Sequence, residues 1–144
     1  MSKKINLKRY KELLKWNPSS SFDETVFELW RYQGTIISQI SYNRKDKYFS
    51  LINNYLSGII TPYDFRLKFL EMEREDSKEI HKINENFEAL EMFTLADDLE
   101  NFSDLMIEIW TLCSDYDEIF DDEVGRGMTE AQFYSKINQV FKQF

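Results

Sequence analysis

Apolar residues recur at intervals of three and four along most of the chain, which is the spacing of one face of a helix. The pattern predicts seven helical segments, over residues 6–15, 22–41, 44–57, 62–75, 76–98, 103–120 and 129–144. A β-branched run leaves a short strand over 35–42 as an alternative to helix. We therefore expect an all-α fold, a compact helical bundle of about six helices in one domain of 144 residues.

Local signals place the ends of these helices. Gly58 follows the third predicted helix at the position where the left-handed conformation is needed. Thr61 and Pro62 suit the N-cap and the first position of the fourth helix. The remaining predicted N-caps are Asp76 or Ser77, Ser103, and Thr129 in a capping box with Gln132.

Charge divides the chain unequally. The formal net charge is −8, yet residues 1–50 carry ten Lys or Arg and five Asp or Glu. The 43 residues between Lys82 and Arg126 contain fourteen acids and no Lys or Arg. Ordinary helix surfaces mix both signs, because opposite charges four residues apart stabilise a helix and like charges destabilise it. This unmixed segment disfavours direct binding of nucleic acid, which needs Lys and Arg, and favours a basic partner.

Composition limits the environment and the chemistry. One cysteine, Cys113, excludes an internal disulfide framework and favours a reducing compartment. The basic start has no continuous apolar stretch, and no window is long and apolar enough to span a bilayer, so we expect a cytoplasmic protein that does not bind a membrane. The single histidine, His81, has no activated nucleophile near it in the sequence. We expect no enzyme activity, no cofactor and no metal site.

The segment over residues 103–120 provides the candidate site. At 100° per residue, Asp104, Glu108, Asp115, Glu118 and Asp122 fall on one side of the helix, away from its apolar stripe. A solvated face that keeps an acidic protein soluble is the alternative interpretation. As a surface for a cationic partner, the predicted partner-binding set is Asp97, Asp98, Glu100, Asp104, Glu108, Asp115, Glu118, Asp122, Trp110 and Tyr116. Tyr116 also follows the period of the apolar stripe, so a core position is its alternative.

One stretch carries a family resemblance. Residues 48–79 read YFSLINNYLSGIITPYDFRLKFLEMEREDSKE, and the run over 109–141 has an apolar helix that ends in an acidic patch, a turn and a last capped helix. Both stretches resemble the colicin D-like bacterial immunity proteins. The residues that carry the first match are Leu51, Ile52, Tyr55, Leu56, Gly58, Ile60, Thr61, Phe65, Phe69 and Leu70.

The resemblance implies a small helical protein that neutralises a ribonuclease toxin. In that family the toxin cleaves tRNA near the anticodon, and the immunity protein covers the basic active site with carboxylates where RNA phosphates would lie. The first 45 residues fall outside the family pattern, and we expect them to form a basic extension packed on or beside an immunity-like core over 46–144.

Three functional classes follow. The first is an immunity or antitoxin protein whose partner is a cognate toxin with a basic nuclease domain. The alternative is a helical adaptor or assembly subunit that binds another protein without inhibiting a nuclease, since the split between a basic start and an acidic remainder favours association. The third is a hydrolase that uses paired acids such as Asp117 and Asp121. We expect a monomer or a weak homodimer.

Overall fold

Six helices make up most of the chain that the structure describes. The structure is a computed structural model, and it describes residues 3–15, 24–86, 88, 93–116 and 127–144. The helices are α1 (Leu7–Lys15), α2 (Glu24–Asn43), α3 (Lys45–Leu56), α4 (Pro62–Glu85), α5 (Leu99–Asp115) and α6 (Glu130–Gln143). The prediction of an all-α fold is confirmed. None of these helices combines the length and the apolar character that crossing a membrane requires.

Two very short strands accompany the helices. β1 (Lys3–Lys4) pairs antiparallel with β2 (Thr94–Leu95), so that Lys3 lies opposite Leu95 and Lys4 opposite Thr94. The predicted helix over 76–98 is therefore wrong in its last residues. Two-residue strands are too short to show an alternating pattern, and the pairing depends on a segment far away in the sequence.

The described chain divides into two compact units. Unit 1 comprises Met1–Asn43 and Glu75–Leu99, and unit 2 comprises Arg44–Arg74 and Glu100–Phe144. The basic start of the chain thus belongs to the same unit as the end of α4. The assignment of residues 1–144 to one domain, with an extension over 1–45, stays a prediction.

The core of unit 1 combines aliphatic packing with buried hydrogen bonds. Tyr10, Ile36, Ile40 and Ile80 form its buried apolar cluster. The Tyr10 hydroxyl donates to Asn84 Oδ1 at 2.5 Å, and so ties α1 to α4. The β-branched residues of 35–42 lie within α2, so the strand alternative is wrong. Their aliphatic side chains serve a helix equally well once one face is buried, because packing overrides intrinsic propensity.

The core of unit 2 is dominated by aromatic rings. Tyr55 stacks on Phe65 with ring centroids 4.7 Å apart, and Phe133 lies 5.7 Å from Tyr55. Large rings bury much surface each, so few side chains suffice for a core of this size. Its fully buried apolar side chains include Tyr48, Ile52, Phe65, Phe69, Phe102, Ile109, Phe133 and Ile137.

Helix α4 runs through a predicted boundary. The sequence predicts one helix to residue 75 and a new one capped by Asp76 or Ser77, but the structure has a single helix from Pro62 to Glu85. No Gly or Pro interrupts this stretch, and a residue that can cap does not end a helix without a breaker. Asp76 is instead buried, and it accepts a hydrogen bond from the Ser41 hydroxyl at 2.7 Å.

The turn between α3 and α4 follows its sequence signals. Gly58 has a φ of +76°, the left-handed conformation predicted for it. The Thr61 hydroxyl oxygen accepts a hydrogen bond from the backbone N–H of Asp64 at 3.1 Å, which confirms Thr61 as a cap. Ile59 continues the apolar spacing of the α3 sequence, yet it is 70% exposed. The helix ends before Ile59, so the 3.6-residue period no longer applies there.

The ends of the last two helices differ in how well the sequence predicts them. The capping box of α6 is confirmed: the Gln132 N–H donates to Thr129 Oγ1 at 3.1 Å, and the Thr129 N–H donates to Gln132 Oε1 at 2.9 Å. Ser103 as the cap of α5 is wrong, because the helix begins at Leu99. The turn at residues 97–98 comes directly before it, and no breaker separates Leu99 from Ser103.

Candidate partner-binding surface

Four carboxylates lie along the exposed side of α5. Glu100, Asp104, Glu108 and Asp115 are all exposed, and we call them the acidic stripe. At 100° per residue they fall within about 80° of one another around the helix axis. The opposite side of α5 is buried in unit 2, with Phe102, Leu105, Met106, Ile109 and Cys113 in the core. The predicted separation of acidic and apolar faces is therefore observed for Asp104, Glu108 and Asp115, and Glu100 extends the acidic face by one turn.

The acidic stripe has no internal counter-charge among the described residues. None of Glu100, Asp104, Glu108 and Asp115 forms an ion pair with a described Lys or Arg. The sequence explains this, because no Lys or Arg stands between Lys82 and Arg126, so no partner is available three or four residues away. The stripe is left facing solvent with its charge uncompensated by its own helix.

Two large apolar side chains are exposed beside the acidic stripe. Trp110 is 47% exposed and Ile107 is 59% exposed. By the helical period, Ile107 borders Glu100 and Asp104, and Trp110 lies farther around on the same exposed side. Sequence reasoning selected Trp110 but not Ile107. The helical period places Ile107 away from the buried side of α5, and this was the signal in the sequence for its exposure.

Tyr116 does not belong to this surface. It is buried in unit 2, where its ring stacks on Phe133 with a centroid separation of 4.4 Å. Of the two positions that the sequence allows for Tyr116, interface or core, the structure has the core. It follows the last residue of α5 and keeps the period of the buried side, which is occupied by Ile109 and Cys113.

The remaining predicted residues separate into two groups. Asp97 and Asp98 are exposed in the turn before α5 and belong to unit 1. Asp98 Oδ1 accepts a hydrogen bond from the Tyr42 hydroxyl at 2.7 Å, so this carboxylate is held by its own unit. Glu118 and Asp122, like Asp117 and Asp121 of the hydrolase hypothesis, lie outside the described residues.

A cleft that the sequence did not suggest lies elsewhere on unit 2. Its volume is about 740 Å³, and it lies between the turn after α3 and the first turns of α6. Ile59 and Ile60 line one side, and Glu130 and Tyr134 the other. The Tyr134 hydroxyl donates to the backbone carbonyl of Leu56 at 2.7 Å, which fixes this ring beside the cleft.

The chain has one cysteine and one histidine, Cys113 and His81. Burial raises the pKa of the Cys113 thiol to about 12, so the thiol stays protonated at neutral pH and unreactive. His81 is exposed on α4. Within the described ranges, no group of three or more His, Cys, Asp or Glu side chains is placed to hold a metal ion.

Comparison with known proteins adds no assignment. The chain matches no protein-family model, no curated protein and no solved structure. The candidate surface therefore has to be interpreted from its own residues.

Proposed function

We propose that the protein is an immunity or antitoxin protein that binds and inhibits a cognate basic ribonuclease of the tRNA-cleaving type. The acidic stripe of α5 would occupy the cationic site that otherwise binds RNA phosphates. The resemblance of residues 48–79 to the colicin D-like immunity proteins supports the choice of partner class.

The observation that carries the proposal is the set of four exposed carboxylates on one rigid helix. A rise of 1.5 Å per residue spaces Glu100, Asp104 and Glu108 by about 6 Å each along the axis. Because the core of unit 2 holds the other side of α5, the carboxylates present a fixed pattern to a partner. Lys and Arg of a nuclease would form charge-assisted hydrogen bonds with them as they do with phosphate.

Ile107 and Trp110 supply what charge alone does not. Exposed ion pairs contribute little affinity, commonly about 0–1 kcal/mol each, and act mainly on association rate and partner choice. Trp is among the residues that most often dominate interface energies when a partner buries them. An apolar contact beside the acidic stripe would give the complex a slow dissociation rate, while the stripe steers its formation.

The test is a co-expression rescue. The product of the adjacent gene is expressed in a bacterial cell with and without this protein, and growth and tRNA integrity are followed. We expect that the neighbour alone arrests growth and cleaves tRNA, and that co-expression restores both. A neighbour that kills equally in the presence of this protein, or that leaves tRNA intact, would contradict the proposal.

A helical adaptor is the second candidate, and unit 1 provides the observation that favours it. Phe27 and Trp30 on α2 are both about half exposed and contact each other edge to face, with ring centroids 5.6 Å apart. Such a pair is typical of a protein-binding surface. If the rescue fails and a partner that binds through Phe27 and Trp30 is not a nuclease, the adaptor function is the better account.

A further inference from the structure

We propose that the cleft on unit 2 receives an arginine side chain of the partner protein. The basic character of that partner rests on the proposed function, whereas the cleft itself belongs to a different part of unit 2 from the acidic stripe. At about 740 Å³ it lies within the range of about 300–1,000 Å³ that is typical of small-molecule sites, so it has room for one long side chain.

The walls of the cleft suit the long stem of such a side chain. Ile59 is 70% exposed and, with Ile60 and Pro62, offers an apolar surface to a row of methylene groups. The turn that carries these residues is held in place by the left-handed Gly58 and the cap at Thr61. The stem would therefore pack against a wall that is already ordered.

The other side of the cleft suits a planar cation. Tyr134 is 40% exposed, and the hydrogen bond from its hydroxyl to Leu56 fixes the orientation of its ring. A guanidinium stacks on an aromatic face of this kind. Beside it, Glu130 is exposed and has no ion pair with any described residue. The ring would stack on the plane of the guanidinium, and the carboxylate would accept hydrogen bonds from the N–H groups at its edge.

The charges around the cleft favour a cation over an anion. The first turns of α4 and α6 border the cleft, and helix N-termini alone attract anions. The hydroxyl oxygens of Thr61 and Thr129 already accept N–H groups of these turns, and Asp64 and Glu130 place a carboxylate in each. Among the residues that line the cleft, Glu130 is acidic and none is Lys or Arg. An entering anion would therefore meet an acid without a compensating base.

Arginine is preferred to lysine for a geometric reason. The ammonium of lysine is a compact, strongly hydrated charge, and it gains less from an aromatic face. A guanidinium is weakly hydrated and stacks while it donates in its plane. An uncharged aliphatic side chain would pack against the apolar wall but would leave Glu130 without a counter-charge.

The test titrates the full chain with small probes by NMR. The probes are the N-acetyl, N-methylamide derivatives of arginine, lysine and norleucine, with inorganic phosphate as the anionic probe. We expect arginine to bind about five- to thirtyfold tighter than norleucine, from one stacked cation and one exposed ion pair. Chemical shifts should change at Ile59, Ala131 and Tyr134.

Matched variants separate the cleft from general acidity. Glu130→Gln should weaken arginine binding about two- to fivefold, while Glu108→Gln on the acidic stripe should leave it unchanged. The proposal is overturned if norleucine or phosphate binds as tightly as arginine. It is also overturned if both variants have the same effect, or if the shifts fall outside the cleft.

The probes also keep this inference separate from the proposed function. Arginine binding at the cleft without rescue of the toxin-expressing cell would support the cleft proposal and contradict the proposed nuclease inhibition. Rescue without arginine binding would contradict only the proposed role of the cleft.

Discussion

At the scale of single residues, Gly34 and Gly58 differ in backbone conformation and not in the space around them. A Cβ atom added at either position would have no other group within 4 Å. Gly34 lies inside α2, whereas Gly58 has a φ of +76°. The effect of a methyl group is therefore decided by the backbone at each position.

We expect the same substitution to act with opposite sign at the two glycines. Gly34→Ala should raise the free energy of unfolding by about 1 kcal/mol, because glycine is the poorer helix former. Gly58→Ala should lower it by about 1–2 kcal/mol, because a side chain strains the left-handed conformation. Urea unfolding of the two variants and the wild type measures both. Destabilisation by Gly34→Ala, or no loss from Gly58→Ala, would contradict the assigned backbone.

Two buried tyrosines offer a second contrast. The Tyr10 hydroxyl donates to Asn84, whereas the Tyr55 hydroxyl is buried with no hydrogen-bond partner among the described residues. Burial also raises the pKa of Tyr55 above its ordinary value. A buried polar group without a partner destabilises a fold by about 1–3 kcal/mol.

Removing these hydroxyls should therefore have different consequences. Tyr10→Phe should lower the free energy of unfolding by about 1 kcal/mol, whereas Tyr55→Phe should leave it unchanged or raise it by about 1 kcal/mol. Differential scanning calorimetry of the two variants tests this. A loss of stability in Tyr55→Phe as large as in Tyr10→Phe would mean that the Tyr55 hydroxyl has a partner.

At the scale of elements, the capping box of α6 is a contact that sequence predicts fully, because all its atoms lie within four residues. We expect Thr129→Ala to lower the free energy of unfolding by about 0.5–2 kcal/mol, since the Gln132 N–H loses its acceptor. Ser135→Ala, at an exposed position on the same helix, is the control and should be neutral or slightly stabilising. Equal effects of the two substitutions in chemical denaturation would rule out the capping role.

Helices α1 and α2 are joined by an ion pair that responds to pH. Arg9 Nε donates to Glu28 Oε1 and Arg9 Nη2 to Oε2, each at 2.7 Å. The hydrogen bonds from Arg9 lower the pKa of Glu28 from its ordinary value of about 4.5. A carboxylate whose pKa is lower in the folded state stabilises that state above its unfolded pKa. The contribution is lost as the pH falls through the folded value.

The expected result is that stability declines on acidification below about pH 4.5 by less in Glu28→Gln than in the wild type. Glu12→Gln is the matched control, because Glu12 contacts the same arginine only at 3.5 Å and on the surface. Thermal unfolding over a pH series distinguishes the three proteins. An identical pH dependence in the wild type and Glu28→Gln would show that this pair does not stabilise the fold.

Elements also show where prediction from sequence ends. The helices, the turn at Gly58 and the caps at Thr61 and Thr129 followed from signals within a few residues. The continuity of α4 did not, because Asp76 can cap a helix but is used to accept a buried hydrogen bond from Ser41 of α2. The pairing of β1 with β2 likewise depends on tertiary contact. Local patterns carry no information about such distant partners.

The sequence likewise predicted those parts of the candidate site that depend on one helix, and missed the part that depends on distant contacts. The exposure of Glu100, Asp104, Glu108 and Asp115 follows from helical periodicity, which also assigns Tyr116 to the apolar stripe. The cleft did not follow, because Ile59 and Tyr134 are far apart in sequence and meet only through the fold.

At the scale of the whole molecule, charge is separated along the chain and not neutralised locally. Fourteen acids lie between Lys82 and Arg126 without a Lys or Arg. Such an arrangement raises the rate of association with a basic partner by about 10- to 1,000-fold and loses its effect in salt. The proposed function requires more than this, namely that the position of the carboxylates matters beyond their number.

The most direct test compares two variants with the same net charge. One neutralises the acidic stripe by Glu100→Gln, Asp104→Asn, Glu108→Gln and Asp115→Asn. The control neutralises four other exposed acids by Glu71→Gln, Glu75→Gln, Glu85→Gln and Glu88→Gln. Each is titrated against the toxin identified by the rescue, and inhibition of tRNA cleavage is measured.

The proposed function predicts that the stripe variant inhibits on the order of 100-fold more weakly than the wild type, and the control less than about fivefold. Equal weakening by the two variants would show that only total charge matters. Unchanged inhibition by the stripe variant would contradict the proposed binding surface on α5.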